Sequence, residues 1–435
     1  MGFGSGTGGK ANNSSSSTSS SSSSSVTEFN ENNAVLIDGH LYDVTNFKHP
    51  GGSVIKFYAG KGIDATEAFN NFHVRSKKAR AILSSIKPNK PASEEQLSEK
   101  LKGQSALMKD FDQLTKDLTK EGYFKPDIGH VIYRVMEIVI MHAIGFYLLF
   151  NNYPTIGLII LGIVSGRCGW LMHEGGHYSL TGNIKIDRGL QIAIYGLGCG
   201  MSGGWWRNQH NKHHSMPQKL GHDVDLQTLP LVAFTNKVVK RIGLPLKVWI
   251  RLQGYLFPIL TTLLVALGWQ FYLHPRHVLR SKNYAEALCM GGRLVLWHYF
   301  FTPVFGGYNA FLLYLAYTWI GSNYIFLNFA VSHTHLPVVA KDDVTVDWVR
   351  YSALHTMNVT SGPLKFVDWW MSYLNFQIEH HLYPSMPQFR HPKVSKRVRA
   401  LLEKHGLPYI ERNYVDAMTV TFNNLHEVGS DVFYG

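Results

Sequence analysis

The stretch GWWRNQHNKHH, residues 204–214, decides the fold because three histidines stand in it at helical spacing. On a helix, His210, His213 and His214 share one face, with Cβ atoms about 5–6 Å apart. Imidazoles on one face can converge on a transition metal. Histidine makes up 22 of the 435 residues, so the triplet is rare by composition and moderately specific. The alternative interpretation is a histidine-rich polar end of a helix.

Composition favours a membrane protein over a nucleic-acid-binding one. The net charge is +12, and several apolar stretches approach membrane-spanning length. A basic chain suits either nucleic acid or the anionic cytosolic face of a membrane. No nucleic-acid-binding module is recognisable, so no nucleic-acid partner is expected. The cysteines, Cys168, Cys199 and Cys289, are odd in number and far apart, which predicts a reducing, cytosol-facing environment without disulfides.

Residues 1–30 are rich in glycine and serine and are expected to form a disordered tail. They contain no apolar segment of the kind found in secretory signals. Position 6 is glycine rather than serine or threonine, so the myristoylation pattern fails.

Residues 31–87 predict a small α+β domain. Short alternating stretches precede an HPGG motif that fixes a tight turn directly after His49. His73 follows a short predicted helix and has aromatic neighbours. Two histidines on facing elements suit a six-coordinate haem. The stretches YDVTNFKHPGG and DATEAFNNFH resemble cytochrome b5, and this resemblance implies that His49 and His73 are the axial ligands of haem b.

Residues 88–128 predict a charged linker followed by an amphipathic helix. Its apolar face holds Leu107, Phe111, Leu114 and Leu118. Such a face either packs on a neighbouring element or lies on the membrane surface, and the pattern leaves both possibilities open.

Residues 129–425 predict the membrane domain, and residues 426–435 a tail. Residues 131–150 and 155–172 have the length and apolarity of a membrane hairpin. Its basic ends lie on one side, which the positive-inside rule assigns to the cytosol. His173 emerges on that same side.

The second membrane hairpin has two candidate pairings. Residues 288–304 with 309–331 are preferred, and residues 254–273 then dip into the membrane from one side. The alternative hairpin is formed by residues 254–273 and 309–331. The preferred pairing puts Arg293 inside the membrane. This costs about 2.5–3.5 kcal/mol of free energy if the side chain lies at the centre of the bilayer. An even number of crossings is needed to keep all histidine groups on one face.

Two more histidine groups flank these segments. HEGGH places His173 and His177 at i and i+4, a spacing expected about once by chance and also compatible with a catalytic zinc. The zinc interpretation explains neither the haem-like domain nor the other groups. VSHTH, with His333 and His335, ends the last apolar segment.

The last histidine group along the chain is QIEHH, in which His380 and His381 follow Gln377. Seven clustered histidines, with His333 as an eighth, are too many for one metal and suit two. Nitrogen-rich ligation is compatible with iron. A haem domain on the same side can supply single electrons, so the pattern indicates reductive activation of O₂ near a membrane lipid.

HEGGH, HNKHH and QIEHH behind an N-terminal HPGG domain resemble the front-end membrane fatty acyl desaturases over residues 30–425. The resemblance implies a mainly α membrane protein, a four-span helical bundle with a cytosolic di-iron cap, plus the small α+β haem domain. It implies two non-haem irons. The implied ligands are His173, His177, His210, His213, His214, His380 and His381, with His333 a further ligand and His335 competing for that role. Gln377 either ligates or orients.

Residues beside these groups have two interpretations each. Asp223 and Asp225 either accept hydrogen bonds from ligating imidazoles or are solvated loop acids. Tyr178, Trp205 and Trp206 either line the mouth of a substrate tunnel or anchor the chain at the membrane interface.

The stretches GRCGWLMHEGGHYSLTGN and FAVSHTHLPV resemble desaturases of marine microalgae and thraustochytrids. This resemblance implies a new cis double bond between an existing one and the carboxyl end of a C18–C20 polyunsaturated chain. The delta-5 position is favoured over delta-6 for the new double bond. The substrate chain is carried either on CoA or on a phospholipid. The resemblance also implies a multi-pass endoplasmic reticulum protein with cytosolic termini, served by NADH-cytochrome b5 reductase. Alternatives are a sphingolipid long-chain-base desaturase, an acyl hydroxylase or, in a different class, a membrane-anchored haem electron carrier.

Overall fold

The computed structural model describes residues 29–61, 63–93, 100–239, 242–341 and 348–435, with side chains from residue 106 onward in the helix that begins at Lys100. The predicted tail, residues 1–30, lies almost entirely outside this part of the chain. The described chain is mainly helical with two small sheets, so the predicted fold class is confirmed.

The helices are α1 (Thr66–His73), α2 (Lys77–Ser85), α3 (Lys100–Lys120), α4 (Ile128–Phe150), α5 (Pro154–Gly176), α6 (Ile184–Cys199), α7 (Gly203–Ser215), α8 (Leu244–Arg251), α9 (Gln253–Thr262), α10 (His274–Ser281), α11 (Tyr284–Ala330), α12 (Trp348–Leu354), α13 (Phe366–Trp370), α14 (Gln377–Leu382), α15 (His391–Lys404) and α16 (Tyr414–Tyr434). The strands are β1 (Ala34–Ile37), β2 (His40–Asp43), β3 (Asn89–Pro91), β4 (Asn358–Val359) and β5 (Glu411–Arg412).

The N-terminal domain is an antiparallel sheet, ordered β1-β2-β3, with α1 and α2 packed beside it. Because β3 pairs with β2 through Tyr42 and Asn89, the domain continues beyond residue 87, the predicted boundary. The strand that closes the sheet is only three residues long, and nothing in its sequence distinguishes it from a linker.

The apolar face of α3 packs on a neighbour rather than on a membrane surface. Leu107, Phe111 and Leu118 are fully buried, and Phe111 stacks on Tyr383 with ring centroids 5.2 Å apart. Burying such a face against another element stabilises it more than propensity does.

Four helices in the described chain are long and apolar enough to cross a membrane: α4, α5, the continuous helix Gln253–Ser281, and α11. At 47 residues, α11 is too long for one crossing, and it divides at Gly306, where φ is 74° and ψ is 158°. Glycine tolerates this conformation because it has no Cβ. The two arms, residues 284–305 and 307–330, fold back on each other.

Contacts between the arms establish the hairpin. The indole Nε1 of Trp297 donates to the Ala310 carbonyl at 3.0 Å, and the Arg293 guanidinium lies 4.8 Å from the ring centroid of Tyr317. In a straight helix, Arg293 and Tyr317 would be about 36 Å apart. The preferred pairing of residues 288–304 with 309–331 is therefore the one observed.

Both ends of helix Gln253–Ser281 contact segments on the side of the molecule that holds the histidines. At its start, the Gln253 amide donates to the carbonyls of Ala233 and Leu425 at 2.9 Å. Near its end, His274 Nδ1 accepts from the backbone N–H of Ser202 at 2.8 Å. All three partners belong to segments on the side of the molecule that holds the histidines. The contacts at both ends favour the two arms of α11, rather than this helix, as the partners of α4 and α5 among the candidate spans of the described chain.

The environment of Arg293 explains how an arginine is tolerated between these arms. Its guanidinium donates to the carbonyls of Leu197 and Gly198 at 2.8 Å, at the C-terminal end of α6. The negative end of the helix dipole and two carbonyl acceptors replace the lost water.

The last helix differs from the tail predicted for residues 426–435. Helix α16 continues to Tyr434, and Val428 and Val432 are buried against Ile250. Apolar residues four apart make one face of a helix, a pattern too short at the chain end to be distinguished from chance.

Candidate functional site

Three helix ends carry the histidines of the three motifs. His173 lies in the last turn of α5, with His177 at its C-cap. Helix α7 begins at a cap in which the Ser202 hydroxyl accepts from the Trp205 N–H at 3.0 Å, and it ends with the HNKHH motif. The short helix α14 carries Gln377, His380 and His381.

Five of these histidines form the first cluster. Their ring nitrogens lie within 4.8 Å of one another, and the members are His173, His177, His210, His214 and His380. Nε2 of His210 is 3.0 Å from that of His177 and 2.9 Å from that of His214, which is 3.0 Å from that of His380.

Hydrogen bonds alone cannot account for these three short contacts between ring nitrogens. Each neutral imidazole carries one N–H, and a single N–H donates fully to one acceptor, so the chain of three contacts holds at most two hydrogen bonds. Among the described residues, His173 Nε2, His214 Nδ1 and His380 Nδ1 have no hydrogen-bond partner. Convergent, buried, under-protonated nitrogens are what a bound cation requires, so the donor set fits a transition metal.

The second cluster contains His213, His333 and His381, whose ring nitrogens also lie within 4.8 Å of one another. The rings of His213 and His381 are 5.0 Å apart, and those of His333 and His381 are 4.9 Å apart. This cluster is next to the first, because His381 stacks on His214 with centroids 4.0 Å apart.

The paired histidines divide between the two clusters. His214 belongs to the first and His213 to the second; His380 belongs to the first and His381 to the second. Adjacent residues on a helix project about 100° apart, and the rings within each pair are nearly perpendicular, at 88° and 89°. Each HH pair therefore contributes one ring to each cluster.

Two acids orient His213. Its Nδ1–H donates to Asp223 at 3.1 Å and lies 3.2 Å from Asp225. Burial lowers the pKa of His213, but the two carboxylates outweigh it and raise this pKa to about 9. They hold one proton on Nδ1 and make Nε2 more basic, so that a metal bound at Nε2 takes the place of the second proton. Of the two, Asp223 is fully buried, whereas the Asp225 side chain is 61% exposed.

Burial keeps the neighbouring imidazoles neutral, which is the form that binds metal. It lowers the pKa of His177 and of His333 to about 3, with neighbouring histidines adding to the effect. Burial and the same mutual repulsion hold the pKa of His210, His214 and His381 well below the usual value.

Two further orienting residues were not predicted. The Nδ1–H of His333 donates to the carbonyl of His355 at 3.1 Å. The amide of Gln388 lies 2.9 Å from Nδ1 of His173, although 215 positions separate them. Neither residue belongs to a motif, so no local signal in the sequence marks it.

The structure separates the two histidines of VSHTH. His333 joins the second cluster, whereas His335 is in none of the clusters found among the described residues. Gln377 is buried one helical turn before His381, and its Oε1 has no partner within the described chain.

His49 and His73 face each other in the N-terminal domain. Their ring centroids are 5.9 Å apart and their planes are at 88°. His73 Nδ1–H donates to the Phe69 carbonyl at 2.9 Å, which leaves Nε2 free, and a Cβ at Gly51 would lie 2.7 Å from the His49 ring. The spacing leaves room for one metal atom between the rings, so this pair fits a six-coordinate haem.

The N-terminal domain packs directly on the histidine clusters. The Tyr58 hydroxyl donates to the carbonyl of Ser215, the last residue of α7, at 3.1 Å. Phe72, adjacent to His73, lies with its ring centroid 6.3 Å from that of His214. The two histidine sites are therefore close in space as well as on the same side.

A cavity of about 410 Å³ connects the clusters with the membrane arms. Its volume is within the range of about 300–1,000 Å³ that is usual for ligand sites. Trp205 and Trp206 line it, whereas Tyr178 is not among the described residues at its wall. The second cluster and Gln377 also line it.

Two family models together match most of the chain. Residues 151–413 match the fatty acid desaturase model, and residues 22–106 match the cytochrome b5-like haem/steroid binding domain. An acyl-lipid (8-3)-desaturase of Rebecca salina is 53% identical over 92% of each chain. One of the same name from Thraustochytrium is 46% identical over 93% of this chain and 94% of its own.

A Delta(8)-fatty-acid desaturase of Euglena gracilis is 30% identical over 85% of this chain and 88% of its own. These likenesses cover both the haem domain and the membrane domain. The chain therefore belongs to the fatty acid desaturase family, as a multi-pass, front-end oxidoreductase that uses O₂, a two-iron centre and the haem of a fused cytochrome b5 domain.

Proposed function

We propose that this enzyme places a cis double bond at carbon 5 of a C18–C20 polyunsaturated acyl chain, between an existing double bond and the carboxyl end. Carbon 6 is the second candidate position. The sequence resemblance supports this regiochemistry, and it assigns the enzyme to the biosynthesis of long-chain polyunsaturated fatty acids. Two relatives are named acyl-lipid desaturases, which favours a phospholipid-bound chain over acyl-CoA.

We assign the first iron to the first cluster. The second iron is assigned to His213, His333 and His381, with Gln377 as a fourth, weaker ligand or an orienting group. Membership of the second cluster favours His333 over His335. When bound, the paired irons supply the reductive activation of O₂ that cleavage of an unactivated C–H bond requires. The division of each HH pair between the clusters supports two metal positions rather than one.

The cavity is the observation that carries the function. It runs from the membrane arms to His210, His213 and His381, so one acyl chain can extend through it past both clusters. Its buried, largely apolar wall orients the chain and excludes bulk water from the reacting carbons. We infer that Trp205 and Trp206, which line the cavity, contact the chain beside the first cluster.

The haem domain is positioned for electron delivery. Tyr58 and Phe72 hold it against the end of α7, so electrons need to cross only a short distance. We propose that NADH-cytochrome b5 reductase reduces this domain from the cytosol. We also propose an endoplasmic reticulum location with cytosolic termini, which the sequence resemblance supports.

Asp223→Asn should lower activity about 10-fold to 100-fold, the usual cost of losing an orienting partner of a metal ligand. The amide retains the shape of the side chain but not the charge that holds His213 Nδ1–H. Turnover and non-haem iron content of the purified protein provide the measurement. Asp225→Asn is the control: because its side chain is 61% exposed, its effect should be several-fold smaller. Equal effects would contradict the orienting role of Asp223.

Feeding yeast that expresses the chain with single C18 or C20 polyunsaturated acids tests the regiochemistry. Mass spectrometry of derivatised products locates the new bond. A bond at carbon 5 is expected. A bond at carbon 6 would support the second candidate, and a bond at any other carbon, a hydroxylated acid or a desaturated long-chain base would overturn the proposal.

A further inference from the structure

The cavity becomes polar where it enters the membrane arms. Ser165 on α5, Arg293 on the first arm of α11, and Thr318 on the second arm all line it. A saturated acyl chain offers no hydrogen-bonding partner to such groups, so their presence at the buried end of a lipid cavity calls for an explanation.

Two polar atoms in this wall have no hydrogen-bond partner within the described chain: Thr318 Oγ1 and Arg293 Nε. A helical threonine often bonds to the carbonyl four residues before it, but Thr318 does not. By contrast, the hydroxyls of Ser165 and Tyr317 are engaged with the Gly198 carbonyl, at 3.2 and 3.0 Å.

The depth of this wall matches the position of the substrate's existing double bonds. Ser165 precedes His173 by eight residues in α5, which corresponds to about 12 Å. An extended acyl chain that reaches this level has therefore passed several carbons beyond the reacting position. In a front-end substrate, whose methyl end lies deeper in the membrane, the existing double bonds occupy this interval.

We propose that Thr318 and Arg293 form a subsite that recognises the existing cis double bonds of the acyl chain, and this rests on the proposed function. An O–H or N–H donor interacts weakly with π electrons, and a cation is attracted to them. Saturated carbons offer neither interaction. The subsite therefore selects polyunsaturated over saturated chains before any reaction occurs.

Thr318→Val tests this in the full-length protein, because valine preserves the shape and removes the hydroxyl. The fluorescent polyene cis-parinaric acid is bound and then displaced by a C20 acid with three cis double bonds or by the saturated C20 acid. The ratio of the two inhibition constants cancels the effect on the probe itself. The preference for the unsaturated acid should fall about threefold to tenfold.

Two variants keep the result interpretable. Thr261→Val is the matched control, because Thr261 lines the same cavity but already donates to the Pro258 carbonyl at 3.0 Å, so its ratio should equal that of wild type. Thr318→Ser restores a hydroxyl and should restore the ratio. An unchanged ratio in Thr318→Val would overturn the subsite and mean that this hydroxyl meets only water.

Failure of the proposed function would look different. If wild type and variants formed no desaturated product from polyunsaturated acids, the regiochemical proposal would fail even with the displacement ratios as expected. If all of them formed product and the ratio did not change, only the subsite would fail.

Discussion

His214→Ala should reduce the desaturated product more than about 100-fold and remove at least half of the non-haem iron. His214 is central to the first cluster, with its Nε2 within 3.0 Å of those of His210 and His380. Its ring also stacks on His381 of the second cluster. Losing it removes one ligand and loosens both metal positions, and loss of even an orienting partner costs about 10-fold to 100-fold. Haem absorbance should not change.

His335→Ala is the matched control for this substitution. His335 is close to the second cluster in sequence but belongs to none of the clusters in the described chain. Its replacement should leave the iron content and the product yield within about twofold of wild type. Full iron content in His214→Ala, or loss of iron in His335→Ala, would contradict the assigned clusters.

His73→Ala should abolish NADH-dependent desaturation and the haem absorbance while the non-haem iron remains. The imidazoles of His49 and His73 face each other at 5.9 Å, and a six-coordinate haem needs both. The iron clusters contain neither residue, so they should still be occupied. The absorption spectrum, non-haem iron analysis and product yield of the purified protein measure the three quantities separately.

His40→Ala is the corresponding control in the haem domain. His40 is exposed at the start of β2, so its replacement should leave haem content and activity unchanged. Retained haem in His73→Ala would mean that another residue is the axial ligand. Loss of both haem and non-haem iron would mean that the variant has unfolded; His49→Ala then provides the independent test.

The sequence predicted the histidine motifs, the haem pair and the membrane hairpins because each is a local pattern. HNKHH is legible at helical spacing, and HPGG before His73 has few other interpretations. The parity of the spans placed the three motifs on one side. The choice between the two hairpin pairings depended on how Arg293 is satisfied, and the acceptors on Leu197 and Gly198 are visible only in three dimensions.

What the sequence could not predict depends on contacts between distant residues. The division of each HH pair between two clusters requires knowing which rings approach from other helices. The choice of His333 over His335 depends on the carbonyl of His355. Gln388 reaches His173 across 215 positions, a separation over which periodicity carries no information.

Metal analysis of the full-length wild-type protein is the most direct test of two iron positions beside a single haem. Iron is quantified by mass spectrometry and haem by its pyridine haemochrome spectrum, on the same sample. Three irons for each haem are expected, two of them outside the haem. One iron for each haem would mean that the clustered histidines hold no iron, and would contradict the assignment of both clusters.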